Sequence, residues 1–255
     1  MATVLITGAS GGIGKDLAEI FASKKYDLIL VARSKDKLHK MASDFEQCFG
    51  IKVNVFDIDL SQPGSAIQLY DGVKDINVNI DILVNNAGVG MYGDAIDMEA
   101  EKVSSMLTLN IVSLTELSLL FAHDMKKARQ GKILNISSTA AFQPTPYLAA
   151  YGASKTYVLQ FSEALHIELK PYGVYVVTVC PGPAETGFAK GANMEHSTMF
   201  KAGVMSSEEV AKGAYNALMR NRMTTIVGLK NKLLATSVRF FPRSWIAVIG
   251  GKMMK

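Results

Sequence analysis

A glycine turn between an apolar strand and an amphipathic helix governs how the start of this chain can fold. Residues 2–7 (ATVLIT) form a short apolar run that reads as a strand. The turn Gly8-Ala9-Ser10-Gly11-Gly12-Ile13-Gly14 follows, and then Lys15–Lys24, where Leu17, Ile20 and Phe21 recur at helical spacing. Glycines at positions 8, 12 and 14 permit a tight turn and a close backbone approach. The N–H groups opening the helix then face an anion. Strand, glycine turn and helix together predict a dinucleotide pyrophosphate held over Gly8, Ser10, Gly12, Ile13 and Gly14.

The alternation continues along the chain. Strands are expected at Asp27–Arg33, Lys52–Asp57, Ile80–Val84, from Ile133, at Val174–Cys180 and at Thr224–Val227. Helices are expected at Leu38–Phe49, Ala66–Ile76, Asp97–Lys127 with a break near Asn110, Tyr151–Leu169 and Ser206–Arg220, the last capped by Ser207. Strands alternating with helices predict an α/β fold, a Rossmann-type doubly wound parallel sheet that binds ligands at the carboxyl ends of its strands. A length of 255 residues suits one such domain. It is placed at 1–230, with a substrate lid near 183–205 and a basic amphipathic extension at 231–255. Cys48 and Cys180 lie in no C-x-x-C or Cys/His cluster, so no metal is expected, and a reducing cytoplasm fits. The opening residues lack a signal-peptide pattern, and no uninterrupted apolar run approaches ~20 residues, so no spanning helix is expected.

The polar residues of interest fall at strand ends. After the second strand, dinucleotide folds that bind NAD carry an acid for the ribose 2′-OH. Here Arg33 and Ser34 stand instead, which predicts NADP(H), with the Arg33 guanidinium on the 2′-phosphate. Asp59-Leu60 follows the third strand, where it reads either an adenine edge or, for Asp59, a helix N-cap. Asn85-Asn86-Ala87-Gly88 ends the fourth, where small and amide residues let the backbone pass a ribose. Asn110 is a polar residue in an apolar helix. Ser138 ends the fifth strand. Tyr151 and Lys155, spaced i and i+4, share one helix face that Ser138 can meet. A lysine beside a phenol lowers a pKa that otherwise lies near ~10, which suits a general acid for a carbonyl. Ser137 and Ser138 point to opposite faces of the strand, so only one of them faces Tyr151.

Taken together, Thr7-Gly8-x-x-x-Gly12-x-Gly14, Asn85-Asn86-Ala87-Gly88, Asn110, Ser138, Tyr151-x-x-x-Lys155 and Pro181-Gly182-x-x-x-Thr186 resemble the short-chain dehydrogenase/reductase family over about residues 1–230. The likeness is to the bacterial reductases and to the branch of 3-ketoacyl-CoA reductases and 17β-hydroxysteroid dehydrogenases. The resemblance implies Tyr151 as general acid or base, and Lys155 as the residue that lowers its pKa and bonds the nicotinamide ribose. Ser138 would hold the substrate oxygen. Asn110 would hold a water linking Lys155 to solvent. Thr186 with the Pro181-Gly182 backbone would position the nicotinamide. The spacing of serine to tyrosine in the family selects Ser138 over Ser137. The implied activity is hydride transfer between NADP(H) and a carbonyl or secondary alcohol. Oxoacyl thioester or hydroxysteroid reduction is the alternative within the enzyme class, and an NADP-sensing binding protein is the alternative outside it. Homodimers or homotetramers are the implied assembly.

Substrate choice is expected from the segment Phe188–Val204, where Phe188, Met194, His196, Met199 and Phe200 lie between glycines 187, 191 and 203. It is also expected from the tail. No Asp or Glu follows Glu209, while nine of the 27 basic residues do, which leaves the preceding body net acidic. Nucleic acid is therefore a poor partner. Phe240, Phe241, Trp245, Ile246, Val248 and Ile249 alternate with these basic residues. The tail reads either as an amphipathic segment on an anionic membrane surface, at the inner membrane face, or as a segment packing on a neighbouring subunit or over the substrate cleft.

Overall fold

A computed structural model describes residues 1–192 and 204–254, apart from the side chains of residues 189, 190 and 253. Seven parallel strands form one sheet: β1 (Thr3–Thr7), β2 (Asp27–Val31), β3 (Val53–Phe56), β4 (Ile82–Asn85), β5 (Gly131–Ile136), β6 (Val174–Cys180) and, last in sequence, β9 (Thr224–Ile226). Their spatial order is β3-β2-β1-β4-β5-β6-β9. Two short strands, β7 (Ala184–Glu185) and β8 (Met205–Ser206), pair outside it. The helices are α1 (Gly12–Ser23), α2 (Lys35–Phe49), α3 (Ser65–Asp75), α4 (Ala100–Leu107), α5 (Leu114–Ala128), α6 (Ala149–Leu169), α7 (Ser207–Met219), α8 (Leu229–Ser237) and α9 (Arg243–Met254). The sheet is the doubly wound one the alternation predicts.

Its strands are apolar on both faces because helices cover both. In β1, Val4 and Ile6 join the core beneath α1, α2 and α7, while Leu5 joins the core beneath α3, α5 and α6. In β4, Ile82 and Val84 take the first side and Leu83 the second. Truncating Phe21, which is fully buried in the first core, would cost about 3–5 kcal/mol. The strand order reverses between β1 and β4, which opens a crevice at their carboxyl ends.

The helix ends follow local chemistry. Gly50, left-handed at φ 62°, closes α2. Pro171 and Gly173 stop the turn after α6. The expectation that Ser207 caps α7 is corrected. Ser206 is the cap, accepting from the Glu209 N–H while the Glu209 carboxylate accepts from the Ser206 N–H. Only Ser206 stands three residues before a glutamate within reach, as this reciprocal pair requires.

Helices α4 and α5 are continuous through a wide π turn at Thr108–Ser113 that contains Asn110. This is the break the sequence shows. The stretch Ala100–Ala128 is long and apolar enough to cross a membrane by length and composition alone, with mean hydropathy 1.5, although no spanning helix was expected. A test for uninterrupted apolar runs misses it because its polar residues are spread out. Here Leu114, Leu117, Phe121, Ala122 and Met125 bury its face against the sheet, so it serves as a core helix.

Of the expected substrate segment, Met194, His196, Met199, Phe200 and Gly203 lie outside the described residues. The tail's first helix begins at Leu229, with Ala235 buried and Asn231 donating to the Val227 carbonyl.

Candidate functional site

Every strand end named from the sequence lies on the carboxyl edge of the sheet, because its seven strands run parallel. Gly8 and Gly12 have φ values of 67° and 51°. A Cβ on Gly14 would overlap the Gly8 carbonyl and the Asn86 side-chain amide, so this position demands glycine. Asn86 fastens the turn, its Nδ2 donating to the carbonyls of Thr7 and Gly8 at 3.0 and 3.2 Å. The Thr7 hydroxyl accepts from the N–H groups of Asn86 and Ala87, both at 3.0 Å. β1 and β4 are thus tied at their ends, and the glycine turn cannot drift from Asn86-Ala87-Gly88.

The N-terminus of α1 suits an anion. Its cap, Gly11, offers no side-chain acceptor to the free N–H groups, and no acid stands in its first turn. A Cβ on Gly12 would lie 3.0 Å from Thr186, so the glycine turn and the segment after β6 face each other closely. An open cleft of about 590 Å³ begins there, bordered by Gly12, Lys15 and Thr186 and also by the carboxylates Asp16 and Glu185. The glycine turn and the free N–H groups opening α1 fit a dinucleotide pyrophosphate. Ile13 packs against the core, and Ser10 is half-buried on the turn.

At the end of β2, Arg33 and Ser34 are exposed. Ser34 stands at the cap of α2 but accepts no hydrogen bond from that helix. Its hydroxyl, the helix N-terminus and Arg33 form a compact cationic corner. The Arg33 guanidinium lies 3.9 Å from the Asp59 carboxylate. Partial burial raises the pKa of Asp59, but donation from the backbone and hydroxyl of Ser61 and the charge of Arg33 outweigh it, so the carboxylate sits below its ordinary value. Asp59 accepts from Ser61 at 3.0 and 2.8 Å, a local turn with no helix following directly. Leu60 is less accessible than its motif suggested. Its side chain is buried in the core, and its carbonyl accepts from Ser113 at 2.6 Å.

The triad of side chains meets between β5 and α6. Ser138 extends from the end of β5, and its hydroxyl faces the phenol of Tyr151 closely enough to favour the phenolate. The same oxygen accepts from the Ala140 N–H at 3.1 Å. Ser137 donates to the Lys155 carbonyl at 2.7 Å, which anchors α6 to the strand. Ser138 is the serine that faces the Tyr151 phenol.

Tyr151 and Lys155 share the inward face of α6, and both are buried. The expected lowering of the phenol is not what the structure shows. Burial pushes Tyr151 up to about 12, with the Ser138 hydroxyl opposing it. Burial pushes Lys155 down to about 8. The Lys155 ammonium is 5.8 Å from the Tyr151 ring centroid and donates to the Ile136 carbonyl at 3.0 Å. An i, i+4 spacing gives a common face, and here no hydrogen bond joins the two side chains. Gly88 adjoins this lysine, since a Cβ there would stand 3.3 Å from Lys155 Nζ and 3.2 Å from Asn110 Oδ1.

Asn110 is fully buried. Its oxygen accepts from the Val89 N–H at 3.0 Å, and its nitrogen donates to the Val89 carbonyl at 2.9 Å and to Ser154 at 3.2 Å. In this structure it clamps the loop after β4 to the π turn and to α6. Thr139 donates to the Pro181 carbonyl at 2.9 Å, which joins the ends of β5 and β6. Gly182 lies under Asn231 of α8, 2.5 Å from where its Cβ would stand.

The sequence reading missed a polar ladder under the site. Asn85 Nδ2 donates to Asn135 Oδ1 at 2.9 Å and to the Ser118 hydroxyl at 3.0 Å, and Asn135 donates to Ser162 at 2.8 Å. All four residues are buried. The available signal was an asparagine inside each of two apolar strand runs. Also missed was the apolar wall over Tyr151. The Phe188 ring lies 5.1 Å from the Tyr151 ring and presses against Gly90. Met106, Leu148, Ala192 and Met254 complete this cluster, with the Tyr92 hydroxyl donating to the Met254 carbonyl.

The family profile described as short chain dehydrogenase matches residues 2–197. The chain belongs to that family. Among its relatives, a very-long-chain 3-oxoacyl-CoA reductase from Anas platyrhynchos is 34% identical over 196 residues, covering 74% of this chain and 62% of the relative. Hydroxysteroid dehydrogenase-like protein 1 from Gallus gallus is 31% identical over 223 residues, covering 86% of this chain and 66% of the relative. The matched stretch thus spans less than two thirds of either relative's own length. A short-chain dehydrogenase from Sphingobium yanoikuyae, solved in complex with NADPH, superposes with a TM-score of 0.85 at 33% identity, covering 94% of each chain. This member of the family therefore shares a nearly full-length fold with an NADPH-bound relative.

Proposed function

We propose that the chain is an NADP(H)-dependent reductase that interconverts a carbonyl and a secondary alcohol on an apolar substrate. The observation that carries this reading is the Ser138 hydroxyl facing the buried Tyr151 phenol at the carboxyl edge of the sheet, with Lys155 on the same face of the helix. A nicotinamide, when bound, supplies the hydride. Ser138 fixes the carbonyl oxygen while charge develops on it. Tyr151 gives that oxygen its proton. A phenol held near 12 by burial is protonated at neutral pH, as a proton donor to a carbonyl oxygen must be. Lys155 sets the charge beneath it and can meet a ribose hydroxyl beside Gly88. Arg33, Ser34 and the N-terminus of α2 favour a cofactor bearing a 2′-phosphate.

Phe188, Met106, Leu148 and Met254 around Tyr151 support an apolar substrate and exclude water from the phenol. A 3-oxoacyl thioester is the narrower reading that the Anas platyrhynchos relative favours, and a hydroxysteroid is the one the Gallus gallus relative favours. We also infer a homo-oligomer, because Val112 and Leu119 near and on α5, and Tyr157 and Ile167 on α6, are apolar and exposed. The deciding experiment follows NADPH oxidation against ketones, aldehydes, oxoacyl thioesters and steroids, with NADH in parallel. Turnover of at least one class with NADPH preferred is expected. Tight NADPH binding without turnover of any would instead favour a sensor.

A further inference from the structure

The last helix has its large and small residues reversed relative to an ordinary surface helix. On α9, Ala247, Gly250, Gly251 and Met254 recur at i, i+3, i+4 and i+7 on one face. Gly250 and Gly251 lie against Pro144 and Pro146, and Met254 is 3% exposed. Trp245, Val248, Ile249 and Lys252 repeat the same spacing on another face, and the three apolar ones are 62%, 60% and 57% exposed. The small residues are thus half-buried beside the buried Met254 while the large apolar ones of the other face stand in water, the opposite of the usual arrangement. Beside them Phe240, Phe241 and the leucines 229, 233 and 234 of α8 are exposed as well.

Cations surround this surface. Lys230, Lys232, Arg239, Arg243 and Lys252 are exposed, and none takes part in an ion pair among the described residues. No acid of the tail is available to them. A second copy docking by two-fold symmetry would set this basic face against itself. An anionic bilayer answers both features, accepting the aromatic and aliphatic side chains and neutralising the lysines and arginines.

We propose that α8 and α9 form a docking surface for an anionic lipid bilayer. Met254, at the inner end of α9, packs in the same cluster as Tyr151, so docking sets the bilayer against a helix whose end lies beside that phenol. The docking itself does not depend on the reaction proposed for Tyr151.

Trp245 is the only tryptophan of the chain, so its emission reports on this helix alone. The full chain is titrated with vesicles of phosphatidylglycerol and phosphatidylcholine, and with phosphatidylcholine alone, while co-sedimentation is followed in parallel. A saturable blue shift with the anionic vesicles is expected, weakened by salt. Phe240→Ser/Phe241→Ser and Lys230→Glu/Lys232→Glu should each weaken binding by about tenfold or more, with unchanged thermal melting. Absence of a shift and of sedimentation would overturn the proposal. So would equal, salt-independent binding to neutral vesicles. A blue shift that grows with protein concentration in the absence of lipid would also overturn it, and would assign the face to a second copy.

Discussion

The ammonium of Lys155 lies 5.8 Å from the ring centroid of Tyr151 and donates to the Ile136 carbonyl, one turn of helix bringing the two side chains to one face with no hydrogen bond between them. The ionisation of Lys155 inside the fold carries a cost that the fold bears.

Burial lowers Lys155 from 10.5 in the unfolded chain to about 8. A group depressed on folding contributes most above its unfolded pKa, and that contribution is lost as pH falls through the folded one. At pH 7 the native state therefore carries an expensive charge. Lys155→Met should be more stable than the wild type at pH 7, by about 1–3 kcal/mol after loss of the Ile136 hydrogen bond. The advantage should shrink as pH rises from 8 towards 10.5. Urea unfolding of both proteins at pH 7 and pH 10 checks this, and a difference that ignores pH would refute it.

Tyr151→Phe removes the proton donor but keeps the ring packed against Phe188. Carbonyl reduction should fall by about 10²–10⁴-fold. The affinity for NADPH, read by fluorescence titration, should change little. Near-normal turnover would remove Tyr151 from the chemistry.

Arg33→Gln leaves the backbone and the α2 N-terminus intact and deletes one charge. Loss of a charge-assisted hydrogen bond to a 2′-phosphate is worth about 1.5–3 kcal/mol, so the preference for NADPH over NADH should drop by about 10- to 100-fold. An unchanged ratio of kcat/KM for the two cofactors would show that Arg33 does not read the phosphate.

Gly14→Ala tests the cradle. The new methyl meets the Gly8 carbonyl and the Asn86 amide, which are themselves hydrogen-bonded to each other. Destabilisation of about 1–3 kcal/mol is expected, with a loss of cofactor affinity larger than for Gly11→Ala, where a Cβ meets nothing. Equal effects at the two positions would argue against the tight approach.

Asn110→Ala leaves the Val89 N–H and carbonyl without their partner. A cost of about 1–3 kcal/mol is expected for each buried group that water cannot reach. Amide exchange should quicken in residues 86–92 more than in the sheet. Protection unchanged there would mean that the clamp is held by other contacts.

The sheet was legible because both faces of each strand announce themselves as apolar runs and the turns carry glycine. The strand-end motifs were legible because the topology gathers all such ends at one edge of the sheet. What sequence could not show was which atoms meet. The Tyr151–Lys155 spacing named the right face of α6 but suggested a closer pair than burial allows. Leu60 follows the strand-end motif, yet its side chain is drawn into the core. Ser207 looked like the cap until the position of Glu209 selected Ser206. The tail's apolar and basic residues were evident, whereas the inward turn of Gly250, Gly251 and Met254 depends on Pro144 and Pro146, more than a hundred residues earlier.

The paired amides of Asn85 and Asn135 bear on how the molecule reaches this state. The two residues stand opposite each other in the β4–β5 register. Shifting either strand by one residue would turn its asparagine to the other face, into hydrocarbon and away from Ser118 and Ser162. A misaligned sheet thus leaves amides stranded, whereas an all-valine pair would tolerate the slip. The ladder therefore penalises registers in which the glycine turn and the serine of β5 would stand out of step.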